Sequence, residues 1–99
     1  MLEYNILPAA EKEATDAFDW YESEREGLGS SFRDEVKLAL DRILQNPNQF
    51  QVCYGTNVRR ARVQRFPYWI YFTDTATSVL VLSIFHDSRN PIIWKGRID

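Results

Sequence analysis

The chain opens on a loosely alternating segment, Leu2-Glu3-Tyr4-Asn5-Ile6-Leu7, which reads as a short strand. Pro8 ends that strand and suits the first turn of a helix. Beyond it the period changes. Ala10, Ala14, Ala17, Phe18 and Tyr21 recur on one helical face up to about Glu26, with Glu11, Glu13, Asp16, Asp19, Glu22 and Glu24 between them. This predicts an amphipathic helix with an acidic outer side. Gly27 and Gly29 are expected to stop it, because glycine tolerates the left-handed conformation of a helix end. A second helix is expected from Ser30 or Ser31, where Ser31 and Asp34 form a near capping box. Its apolar stripe is Phe32, Val36, Ala39, Leu40, Ile43 and Leu44, and Asn46-Pro47 closes it. Two helices joined by a short glycine-containing turn predict an antiparallel helical hairpin.

Residues 47–57 read as a loop. After it the period falls to two. Val58–Val63 alternates, Tyr68–Phe72 is rich in strand formers, and Thr73–Thr77 has the small polar residues of a hairpin turn. Ser78–Phe85 is the most apolar stretch and is expected to be the central or best-buried strand. The order β-α-α-β-β-β predicts an α+β fold in one domain over residues 1–99, a mostly antiparallel sheet with the helical hairpin packed on one face. The tail from His86 to Asp99 is expected to add a short strand or helix around Ile92-Ile93-Trp94.

Composition narrows the function classes. No apolar run approaches the roughly 20 residues of a membrane helix. The opening MLEYNILP lacks the basic-then-apolar pattern of a signal peptide, so a cytoplasmic location is expected. The single cysteine, Cys53, excludes an internal disulfide framework, and one histidine with one cysteine excludes a self-contained His/Cys zinc site. No glycine-rich phosphate loop, nucleophile elbow or metal motif occurs, and no cofactor is expected. The net charge of −2 conceals an asymmetry. Residues 1–50 hold eleven acids and five bases, whereas residues 51–99 hold three acids and seven bases. Such a division implies two faces with different partners or one self-complementary surface.

The bases form two groups: Arg59, Arg60, Arg62 and Arg65 on or just after the first strand of the meander, and Arg89, Lys95 and Arg97 in the tail. Alternation sends Arg60 and Arg62 to one face and Arg59, with Ala61 and Val63, to the other. Arg60 and Arg62 fit either an aromatic-lined surface for nucleic-acid phosphates or a solvated face paired with the acidic helix. Arg59, on the apolar side, fits either a hydrogen-bonded structural arginine or a catalytic one. His86 is placed to act as a general acid or base, or to cap the strand end through the backbone. Cys53 has no basic neighbour to activate it and reads as an incidental small residue of the loop. The acids of the first helix read as a solvated face.

The run Val58-Arg59-Arg60-Ala61-Arg62-Val63-Gln64-Arg65-Phe66-Pro67-Tyr68-Trp69-Ile70-Tyr71-Phe72 resembles the core of the RelE/ParE toxin superfamily. So does the strand ending Val81-Leu82-Ser83-Ile84-Phe85-His86, followed by Arg89-Asn90-Pro91 and Trp94. Ala14, Ala17, Trp20, Tyr21, Gly29, Phe32, Leu44 and Pro47 fit the same pattern, which spans nearly the whole chain. The resemblance implies the toxin of a bacterial type II toxin–antitoxin module, neutralised by an antitoxin that wraps over it. RelE-like members cleave messenger RNA on the ribosome, with several Lys and Arg on the sheet and often a Tyr near the C-terminus. ParE-like members inhibit DNA gyrase without nuclease chemistry. This sequence departs from the RelE pattern: its meander strands lack lysine, Tyr68 or Trp69 stands where an arginine is expected, and no Tyr follows Tyr71. It is therefore similar to the ParE-like, plasmid-stabilisation branch. Were it RelE-like, His86, Arg89, Arg59 and Arg62 would be its substitute catalytic set. The resemblance and the apolar aromatics together make Arg60, Arg62, Arg65, Trp69 and Trp94 the expected partner-binding set. A homodimer is a further expectation, and a non-toxic relative serving as an interaction module is a third functional reading.

Overall fold

The computed structural model describes residues 2–88 and Arg97. Strand β1 (Glu3–Ile6) leads into helices α1 (Pro8–Glu24) and α2 (Leu28–Gln45), and a 3₁₀ turn (Pro47–Gln49) follows. Strands β2 (Val52–Tyr54), β3 (Val58–Val63), β4 (Tyr68–Asp74) and β5 (Ser78–His86) complete the order. They form one five-stranded sheet in the order β1-β5-β4-β3-β2. Neighbours are antiparallel except β1 and β5, which run parallel. The α+β expectation holds, with both helices on one face.

Three local expectations are corrected. The loop 47–57 contains β2, a three-residue edge strand whose register on β3 shifts between Val52 and Tyr54. A strand this short carries too little alternation to stand out. Cys53 therefore lies on an exposed edge strand rather than in a loop. Only Gly27 breaks the helices; Gly29 is inside α2. Gly27 takes φ +86°, and a Cβ on Gly29 would stand 2.7 Å from the Phe18 carbonyl oxygen, so Gly29 serves close helix approach. The start of α2 has no capping box. Ser31 Oγ instead donates to the Gly27 carbonyl at 3.3 Å, and Glu22 of α1 accepts the Gly27 and Gly29 amides, each at 2.9 Å. The Gly27 amide, then those of Gly29 and Ser30, hold the Glu22 carboxyl below the usual glutamate range against the opposing effect of desolvation. Glu22 is thus a cap supplied by the preceding helix.

Alternation along the strands sorts side chains into two apolar clusters. Ala61, Val63, Ile70, Phe72, Val79, Val81 and Ile84 face the hairpin and pack with Ala10, Ala17, Phe32, Ala39, Ile43 and Leu44. Tyr21, Phe32, Phe66 and Tyr68 interlock edge-on or tilted at one end, with centroids 4.9–6.2 Å apart. Val58, Tyr71, Leu82 and Phe85, flanked by Trp69 and Leu80, form the second cluster on the other side. A bulge sets this division. Tyr71 opposes Ser83 while Phe72 opposes Val81, so Leu82 is the extra residue and Ile84 returns to the helix side. β4 occupies the middle of the sheet, and β5 is the strand with the longest buried run, Val81–Phe85.

Candidate functional site

The parity of β3 determines what each arginine does. Arg59 is cross-strand from Phe72 on the helix side. Its guanidinium donates to Asp74 Oδ1 at 3.3 Å, the Phe50 carbonyl at 2.6 Å and Asn48 Oδ1 at 3.4 Å. Arg59 and Asp74 side chains are only 21% and 18% exposed. Arg59 is therefore a fastener that ties β3 to the end of β4 and to the segment after α2. Arg65, in the β3–β4 turn at φ 72°, reaches back to Glu35 of α2 at 3.4 Å.

The outer face is arranged differently. Arg62 opposes Trp69 in register and donates to Asp87 Oδ2 at 2.8 Å. The Trp69 indole N–H donates to the other oxygen of Asp87. That carboxylate fixes both the cation and the ring. The Arg62 hydrogen bond is the main cause that holds the Asp87 carboxyl below the usual aspartate range; burial opposes it and the Trp69 bond assists. Arg60 lies over the same indole at 4.0 Å, and Arg62 at 5.1 Å. Two guanidinium groups and a ring form one stack. Arg60 is exposed, and among the described residues no carboxylate lies within ion-pair distance of it. Neither outer arginine pairs with the acidic first helix.

His86 ends β5 on the helix side, edge-on to Tyr68 at 5.1 Å. Its Nδ1 accepts the Ser88 backbone N–H at 3.0 Å, so a neutral ring carries its proton on Nε2. It lines an open aromatic cleft of about 470 Å³ with Trp20, Tyr21, Pro67, Tyr68 and Ser88.

The expected catalytic set is not brought together. From the register, Arg59 and His86 are separated by roughly 13 Å along the strands and about 10 Å across them. Arg62 is on the opposite face from both. Arg89 lies outside the described residues. In the partner-binding set, Arg60, Arg62 and Trp69 form one cluster, Arg65 belongs to the other side of the sheet, and Trp94 lies outside the described residues.

Glu13 is a residue the acidic-face reading missed. It accepts Ser83 Oγ at 2.9 Å, the Ile84 amide at 3.2 Å and Arg97 Nη1 at 3.0 Å. Arg97 Nη1 also donates to the Leu82 carbonyl at 3.1 Å. β1 pairs with β5 only as far as Val81, so the next backbone groups of β5 lose their strand neighbour, and the Glu13–Arg97 pair takes its place. The available signal was spacing: Glu13 is one helical turn from Ala10 and Ala17, between two core positions.

The model of the ParE toxin of type II toxin–antitoxin systems, parDE, matches residues 4–91. The chain belongs to the ParE toxin family. Eight chains of solved structures also match. One, from the chromosomal ParDE TA system of P. aeruginosa, is 16% identical and covers 87% of this chain and 96% of its own, with a TM-score of 0.75. At that identity the likeness concerns the fold. No curated protein matches. For this ParE-family chain, the outer cluster brings Arg60 and Arg62 to one indole ring, with Arg60 exposed and Arg62 and Trp69 half-buried. No helix among them is long and apolar enough to cross a membrane.

Proposed function

We propose that this ParE-family toxin acts in the cytoplasm by binding a protein target, with DNA gyrase the first candidate, and that a cognate antitoxin neutralises it. The observation that carries this reading is the separation of the cationic groups. RNA cleavage needs a base for the 2′-hydroxyl, cations at the phosphate and an acid for the leaving oxygen within one constellation. Arg59 and His86 stand at opposite ends of the helix-side face, and Arg62 is on the other face. Arg59 is committed to three structural acceptors and His86 Nδ1 to the strand end. The outer face combines a fixed ring with cations, the residue types that dominate protein interfaces.

The test is induction in bacteria, alone and with the candidate antitoxin. Growth arrest, relaxed plasmid DNA and intact messages, all reversed by the antitoxin, support the reading. Arrest with messages cut at the ribosome contradicts it and supports the ribonuclease. Normal growth contradicts it in favour of a non-toxic interaction module.

A further inference from the structure

The outer stack has more order than a solvated patch requires. Asp87 holds the Trp69 ring and the Arg62 fork from one carboxylate. The Arg60 guanidinium carbon stands over that fixed ring, 4.0 Å from its centroid. A guanidinium held over a ring by cation–π attraction still has N–H donors for bidentate contact with a carboxylate. The stack restricts Arg60 before any partner arrives, which reduces the ordering cost of binding.

From this geometry we infer that Arg60 on Trp69 is a carboxylate-reading anchor, and that its occupant is an Asp or Glu side chain of a partner polypeptide. This rests on the reading above that the outer face receives a protein. Charge favours a peptide over a nucleic acid. The two arginines and Asp87 leave the cluster one net positive charge, located on Arg60. A phosphate backbone is held by a series of cations along its path. Among the described residues the next cation, Arg62, is already neutralised by Asp87, so Arg60 has no second free cation beside it. A single acidic side chain needs only that one cation.

The experiment uses the full chain made by cell-free synthesis. A displayed library of random dodecapeptides is selected on it, and recovered peptides are measured against the unaltered protein, Arg60→Ala and Arg60→Glu. A single-stranded RNA of twelve nucleotides is the competing probe. The anchor predicts that recovered peptides carry an essential Asp or Glu. It predicts that Arg60→Ala weakens them at least tenfold, and that Arg60→Glu binds only when that acid is changed to Lys. The Trp69 indole N–H resonance, kept in place by Asp87, verifies that the variants retain the platform. Peptides that bind Arg60→Glu as well as the unaltered chain overturn the anchor. So does RNA that displaces the peptides and depends on Arg60. Peptide binding is read without gyrase or ribosomes, so its failure is distinguishable from failure of the target assignment.

Discussion

Arg59 and Arg60 are adjacent in sequence and opposite in role. Arg59 faces the hairpin, where water is scarce, and its donors are engaged by Asp74, the Phe50 carbonyl and Asn48. Arg60 faces outward, lies on Trp69, and has no carboxylate partner among the described residues. The same division extends across the molecule. Glu13 with Arg97 completes the inner edge of β5, while Asp87 with Arg62 and Trp69 organises a half-buried platform on the outer face. A basic strand is therefore not uniformly a binding surface. Parity assigns one arginine to building the fold and leaves its neighbour available for recognition.

The largest effect is expected on the inner side. Glu13→Ala leaves Ser83 Oγ and the Ile84 amide without their acceptor, and Arg97 without its carboxylate, in a site where Glu13 is 11% and Arg97 19% exposed. It should lower stability by roughly 3 kcal/mol, read as a lower urea midpoint. Arg59→Met should cost about 2 kcal/mol by the same measurement, because it strands the mostly buried Asp74 carboxylate and the Phe50 carbonyl. A loss below half a kilocalorie in either variant would break the distinction between the two sides.

These inner roles were only partly legible beforehand. The helices, the meander and the two faces of β3 follow from periodicity, because each spans enough residues for a repeat to be visible. Glu13 and Glu22 were not legible as structural residues. Both lie among acids on a helix that looks uniformly solvated, and their partners are far along the chain or on the next turn: Ser83 and Arg97 for one, the amides of Gly27 and Gly29 for the other. Gly29 gave the signal of a helix stop, yet its lack of a Cβ serves the close passage of α2 against Phe18 and Glu22. β2 is too short to show a period and exists because β3 offers it an edge. The Arg60–Trp69–Arg62 stack was anticipated as a neighbourhood, but the clamp that orders it depends on Asp87, which follows β5 in the sequence.

On the outer side the effects on stability shrink and those on recognition grow. Asp87 has a depressed carboxyl pKa, with the Arg62 bond the leading cause. Its contribution is complete above the ordinary aspartate range and is lost as pH falls through its lowered folded-state value. The Trp69 indole N–H resonance should therefore titrate in acid, below the range of a free aspartate. Midpoints at or above that range would contradict the clamp. Arg60→Ala should have the smallest effect on folding, about 0.5 kcal/mol or less in the urea midpoint, since an exposed cation–π contact contributes little.

The proposed mode of action is binding without RNA cleavage, and primer extension on ribosome-bound message with the purified protein in excess tests it most directly. Full-length products at every protein concentration are predicted, because Arg59, Arg62 and His86 occupy separate places. Discrete stops at codons in the ribosomal A site, lost in His86→Ala, would contradict it.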